Sequence, residues 1–160
     1  MPRLYQGVSF THALRPTTPA AVYAVEEELG VTFPDEYRAF LLAVNGGVPK
    51  PHEFKMAKPG RPGEQIGIDF LYGVAAKQRE NDLRYEQEQI VDRTDSLLRG
   101  FIVIGSDGGG APYFISTTGK RTGGVYFFDP DGFLDPGGSP KLYLAAKNFT
   151  DLLERMAAGE

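Results

Sequence analysis

Residues 25–47 read VEEELGVTFPDEYRAFLLAVNGG, and this stretch holds the end of one helix, all of a second and the stops that separate them. Gly30 predicts the end of the first helix, because glycine readily adopts the left-handed conformation in which many helices end. Pro34, followed by two acidic residues, predicts the start of the second, since proline suits the first turn and negative charge suits the positive end of the helix dipole. The stretch therefore predicts two consecutive helices joined by an extended segment.

The first helix is expected to begin near Thr18, a favoured N-cap residue, with Pro19 in the first helical position. Its apolar face comprises Val22, Val25 and Leu29. We interpret residues 26–28, three consecutive glutamates, as a solvated acidic face rather than as catalytic carboxylates.

The second helix presents apolar side chains in the i, i+3, i+4, i+7 pattern of an amphipathic helix. Its stop is clear, because Asn45, Gly46 and Gly47 all tolerate the left-handed conformation of a helix end. The apolar positions are Tyr37, Phe40, Leu41 and Val44.

The rest of the chain predicts short strands and two further helices. Four prolines in residues 48–63 predict an exposed loop, alternation over residues 65–74 predicts a half-buried strand, and residues 75–98 predict one helix with a loose end. The β-branched and aromatic runs that predict an antiparallel meander are residues 101–104, 113–115 and 125–128, with 142–144 as a further strand and Asn148 as the cap of a last helix. This order favours an α+β fold, a mainly antiparallel sheet with helices packed against it, in a single domain of residues 1–160 with its core at about 18–156.

Composition excludes several classes of protein. The 160 residues contain no cysteine, so disulfides and thiolate chemistry are impossible. A net charge of −4 argues against direct nucleic-acid binding, which needs a basic stripe. Short apolar runs and an N-terminus without a signal-peptide pattern predict no membrane role and a cytoplasmic location.

The motifs that invite a catalytic interpretation lack decisive residues. Residues 105–110 are rich in glycine, but Ala111 and Pro112 follow where a phosphate-binding loop needs lysine and a hydroxyl. Ser106 lacks the upstream glycine of a nucleophile elbow, because Ile104 occupies that position, and the only histidines, His12 and His52, are expected to be solvent-exposed. The carboxylates of residues 129–135 lack calcium-loop spacing and favour a turn. We therefore predict no catalytic set, no metal site and no cofactor.

Residues 25–47 resemble the N-terminal signature of the SUKH superfamily, which includes fungal cell-wall-synthesis regulators and many bacterial immunity proteins. Its pattern is an acidic helix ending in Leu-Gly, an extended piece ending in proline, Asp-x-Tyr and an Asn-Gly stop. Residues 101–110 look like the central strand and glycine turn of the family, residues 124–129 like its next strand and residues 148–153 like its closing helix. The matching positions are Leu29, Gly30, Pro34, Tyr37, Leu41, Asn45, Gly46, Gly105 and Gly109.

The resemblance implies an α+β protein-binding domain without a catalytic set, in bacteria most often an immunity protein that masks a toxin domain. The first hypothesis is therefore a non-enzymatic module that neutralises a cognate toxin. The alternatives are an intracellular scaffold or regulator of the cell-wall-synthesis type and, third, a metal-dependent enzyme that uses the carboxylates around Asp129. Exposed loops predict the partner contacts, which are Asp107, Lys120, Arg121, Asp129, Asp131, Phe133 and Asp135. The oligomeric state stays open.

Overall fold

The computed structural model describes residues 2–57, 65–91, 100–129 and 141–159. Its helices are α1 (Pro19–Leu29), α2 (Asp35–Ala43), α3 (Leu83–Val91) and α4 (Phe149–Ala158). Its strands are β1 (Arg3–Tyr5), β2 (Val8–Thr11), β3 (Val48–Lys50), β4 (Glu53–Lys55), β5 (Gln65–Gly67), β6 (Phe70–Leu71), β7 (Phe101–Ser106), β8 (Pro112–Ser116), β9 (Val125–Asp129) and β10 (Lys141–Ala146).

Three antiparallel sheets organise the described strands. The largest has the order β10-β9-β8-β7-β6, a second has the order β1-β2-β3, and β4 pairs with β5. Strand β8 is buried along its whole length, and α3 packs against its neighbour β7. Helix α4 packs against β10, β4, β2 and α2, so it joins elements of all three sheets. The predicted α+β single-domain fold is confirmed.

The predicted helix ends are confirmed at atomic detail. The Thr18 hydroxyl accepts a hydrogen bond from the Ala21 N–H at 3.1 Å, which satisfies a first-turn donor of α1. Gly30 ends that helix with φ at 69°, the left-handed conformation for which glycine is suited. Asn148 caps α4 through a hydrogen bond from the Asp151 N–H at 2.7 Å.

Two predictions about strands are wrong. Residues 48–57 are not an exposed loop, because they form β3 and β4 and bury Pro49 and Phe54, whereas residues 58–63 lie outside the described part. Residues 65–74 are not one strand, because β5 pairs with β4 and β6 pairs with β7. One alternating run thus serves two sheets, and it buries both Ile68 and Leu71.

Two further elements differ from the sequence analysis. Strands β1 and β2, which no pattern indicated, form a hairpin whose Val8 and Phe10 are fully buried. The helix expected within residues 75–98 is present as α3, which starts only at Leu83, and residues 92–98 lie outside the described part.

Candidate protein-binding surface

Asn45 joins two distant segments of the chain. Its side chain is fully buried, and its amide nitrogen donates to the carbonyls of Arg15 at 2.7 Å and Val74 at 2.9 Å. Its amide oxygen accepts from the Val74 N–H at 2.8 Å. Because asparagine tolerates the left-handed φ of 68° found here, one residue both ends α2 and fixes the two segments beside each other.

The glycines next to this joint are required by close backbone contacts. A Cβ at Gly46 would lie 2.7 Å from the Leu71 carbonyl oxygen, and one at Gly73 would lie 2.6 Å from the Asn45 carbonyl oxygen. Such distances are too short for any side chain, so the Asn-Gly signature is a packing requirement.

A second buried group fixes the segment that follows Val74. Asp82 is fully buried and accepts hydrogen bonds from the Ala75 N–H at 2.8 Å and the Arg84 Nη2 at 2.7 Å. Arg84 also donates to the Ala75 carbonyl at 2.8 Å. The hydrogen bond to Asp82 raises the pKa of the Arg84 guanidinium.

The two fixed segments form the walls of a cavity of about 540 Å³, which we name the basic cleft. It is lined by residues 14–18, Ala21, residues 74–77 and Arg79. Among the described residues that line it, the charged side chains are those of Arg15, Lys77 and Arg79, all exposed to solvent, and none is a carboxylate. Sequence reasoning missed this cleft, because its cations come from segments far apart in the chain.

Glu26 corrects the prediction of a solvated acidic face. Its side chain is buried, and its Oε2 accepts from the Phe33 N–H at 2.6 Å and from the Arg38 Nη2 at 2.8 Å. The hydrogen bond that Arg38 donates to Glu26 is the main cause of the raised pKa of the Arg38 guanidinium. The turn between α1 and α2 brings Phe33 and Arg38 within hydrogen-bond distance of Glu26. Glu27 and Glu28 are exposed, as predicted.

The Glu26–Arg38 pair is among the residues that line a second groove, of about 850 Å³. Tyr23, which is 63% exposed, lines the same groove together with Thr117 and Thr118. Exposed aromatic side chains are common at protein interfaces, so this groove is a further candidate surface.

The predicted contact residues have different surroundings. Lys120 and Arg121 are exposed on a 3-10 turn, Gly119–Arg121, with the Arg121 guanidinium 5.9 Å from the centre of the Tyr126 ring. Asp107 is only half-buried, but its Oδ1 accepts from the N–H groups of Gly109 and Ala111, so it builds the turn.

Asp129 was predicted in an exposed loop, and this placement is wrong. It is the last residue of β9, where it pairs with Lys141 of β10, and 3% of its surface is exposed. Asp131, Phe133 and Asp135 lie outside the described residues.

The side chains considered for chemistry are dispersed. His12 and His52 are exposed as predicted, and the His52 Nδ1 lies 3.8 Å from an oxygen of Asp69. Within the described ranges, no three His, Asp or Glu side chains are grouped so as to hold a metal ion. No helix in the part of the chain that the structure describes is long and apolar enough to cross a membrane.

The other signature residues are structural. Tyr37 is fully buried among aromatic rings, with ring centres 5.3 Å from Phe33 and 5.2 Å from Phe149. Leu41 is also fully buried, and a Cβ at Gly105 would lie 2.5 Å from the Phe70 carbonyl oxygen. The signature is therefore made of core side chains, helix ends and close backbone contacts.

These features define a class of protein, namely α+β domains with antiparallel sheets. In this chain, the signature residues build the scaffold and fix the walls of the basic cleft. The model of the SMI1/KNR4 family (SUKH-1) matches residues 16–155, which is most of the chain, and the protein belongs to this family. The family is generally associated with protein partners. A comparison with curated proteins found no match.

Proposed function

We propose that this protein is a non-enzymatic binding domain that masks a cognate protein, as an immunity protein that neutralises a toxin domain delivered by a neighbouring bacterial cell. The observation that carries the proposal is the family match over residues 16–155. The SUKH signature that this chain resembles implies protein binding, and in bacteria most often immunity.

The geometry supports a binding role because the surfaces are built before a partner arrives. Asn45 and Asp82 fix both walls of the basic cleft through buried hydrogen bonds. A preformed surface loses little conformational entropy on association, which favours tight masking of a partner.

The test uses the full chain, tagged and expressed in its native cells, with captured proteins identified by mass spectrometry. The best candidate is then purified, and its affinity and stoichiometry are measured by calorimetry. We expect a stoichiometric complex with a toxin domain, and cells that express the toxin domain should grow only when this protein is also present.

A variant with alanine at Lys120 and Arg121 tests the exposed contacts predicted from the sequence. Both side chains are exposed, so the substitutions should change stability by less than about 0.5 kcal/mol. Weaker binding with an unchanged thermal midpoint would assign the turn to the interface. Recovery of the cell's own structural or signalling proteins alone, with no protection from any toxin, would contradict immunity and favour the scaffold or regulator role.

A further inference from the structure

We propose that the basic cleft is the docking site for a short acidic segment of the partner protein. The inference rests on the proposed function in one respect, namely that the partner is a protein. It adds where that partner binds and what chemistry the cleft selects.

The charge of the cleft opposes the charge of the molecule. The chain has a net charge of −4, yet Arg15, Lys77 and Arg79 line one cavity, and none of its lining residues within the described part of the chain is a carboxylate. None of these three cations forms an ion pair with another residue that the structure describes. A partner's carboxylates can therefore bind them without displacing an internal partner, and charge-assisted hydrogen bonds of this kind are the stronger ones.

The shape of the cleft fits a short segment. Its volume of about 540 Å³ lies within the range of roughly 300 to 1,000 Å³ that is typical of small-ligand sites, so it accommodates a few side chains. The hydrogen bonds of Asn45 and Asp82 fix the walls, and the positively charged end of the α1 dipole lies at Thr18 in the lining. The cations therefore stand on a fixed frame around a confined volume.

The lining favours a protein over a nucleic acid. Single-stranded nucleic acids bind through basic grooves with aromatic side chains on which bases stack, whereas the cleft lining, as far as the structure describes it, contains no aromatic residue. The chain has a net negative charge, which repels anionic ligands outside the cleft. A long phosphate backbone extends beyond the cleft and is repelled more strongly than a short acidic peptide.

The experiment titrates fluorescein-labelled octaglutamate with the full chain and follows fluorescence anisotropy at an ionic strength of about 0.01 M and again at about 0.15 M. The cleft variant is Arg15→Gln/Lys77→Gln/Arg79→Gln, and the matched control is Lys50→Gln/Lys55→Gln/Lys147→Gln. All six positions are exposed, and each variant removes three positive charges, which changes the net charge from −4 to −7. Circular dichroism and thermal midpoints verify that both fold like the wild type.

We expect the wild type to bind octaglutamate and the cleft variant to bind it at least about tenfold more weakly, which corresponds to about 1.4 kcal/mol. The control should stay within about threefold of the wild type, which separates the cleft from net charge. The single reversal Lys77→Glu should also weaken binding, by local repulsion.

Three outcomes of the titration would overturn the proposal: no binding of the peptide at about 1 mM wild-type protein, an equal loss in the control variant, or tighter binding of a thymidine octamer than of octaglutamate. A captured partner that binds the cleft variant as tightly as the wild type would also overturn it while leaving the proposed function intact. Failure to capture any protein would count against the proposed function, and the peptide titration would still decide the chemistry of the cleft.

Discussion

At the scale of single residues, the Tyr37 hydroxyl contributes no stabilising hydrogen bond within the described part of the chain. Its oxygen is buried and has no hydrogen-bond partner among the described residues, and burial raises the pKa of this hydroxyl well above its usual value. A buried unsatisfied polar group costs about 1 to 3 kcal/mol. Tyr37→Phe keeps the ring contacts and removes that group, so we expect the free energy of unfolding in urea to stay unchanged or rise by up to about 1 kcal/mol.

Tyr113 provides the matched control for this prediction. It is also fully buried, but its hydroxyl donates to the Gly67 carbonyl at 2.7 Å. Tyr113→Phe should therefore destabilise the protein by about 1 kcal/mol, because the carbonyl loses its partner. If Tyr37→Phe destabilises the protein as much as Tyr113→Phe does, the Tyr37 hydroxyl is satisfied and the prediction is wrong.

The sequence predicts the exposure of a single polar residue only when its neighbours in space are also its neighbours in the chain. His12 and His52 are exposed as predicted, yet Glu26 and Asp129 are buried. Glu26 is buried because Arg38, on another helix, reaches back to it. Asp129 is buried at the end of β9, where it pairs with Lys141 of β10, and no local pattern predicts that pairing.

At the scale of elements, the start of α4 depends on one carboxylate. Partial burial by itself raises the pKa of Asp151, but hydrogen bonds from the Lys147 N–H and from Arg155 outweigh it and hold this pKa below its usual value. The Lys147 N–H donates at 2.8 Å and the Arg155 Nε at 2.9 Å. Asp151→Asn should therefore cost about 1 kcal/mol at pH 7, a magnitude typical of such helix-start interactions.

The sign of the pH dependence follows from the lowered pKa. The unfolded chain titrates this group near pH 3.9, so the stabilisation is complete above that pH and is lost as the pH falls through the lower folded value. Urea titrations from neutral to acidic pH should show the difference between wild type and Asp151→Asn shrinking below about pH 4. The exposed Glu154→Gln on the same helix is the control, with an expected change within about 0.5 kcal/mol. A difference that persists unchanged in acid would contradict the role of the Asp151 charge.

Helices were predictable where their ends are encoded locally, and short strands were not. Thr18, Gly30 and Asn148 act on groups within a few residues of themselves, so the sequence pattern contains the interaction. Strands β1 and β3 have three residues each and exist because both pair with β2. The prolines of residues 48–63 indicated a loop, and pairing across the molecule overrode this local preference.

At the scale of the whole molecule, the basic cleft was hidden from sequence analysis because it is a property of the assembled fold. Its walls come from residues 14–18 and 74–77, which the buried side chain of Asn45 joins. The Asn-Gly motif was visible in the sequence as a helix stop. Its second role, as the joint of a cleft, requires the contacts of the folded chain.

The N-terminal hairpin belongs to the core although it precedes the region matched by the family, residues 16–155. Phe10 is fully buried, and its ring centre lies 5.1 Å from that of Phe40 on α2. Arg3 on β1 donates to the Leu14 carbonyl at 3.3 Å, so the hairpin also supports one wall of the basic cleft. The hairpin therefore stabilises both the core and the proposed docking site.

Phe10→Ala should accordingly lower the free energy of unfolding by about 3 to 5 kcal/mol, the usual cost of removing a fully buried phenylalanine. Leu4→Ala in the same hairpin is the control, because Leu4 is 77% exposed and its loss should cost no more than about 0.5 kcal/mol. Urea denaturation of both variants measures the difference. Equal, small effects would mean that the hairpin contributes little to a domain that begins near residue 16. The large difference expected here would instead extend the folding unit to β1, because Phe10 fills a position in the hydrophobic core.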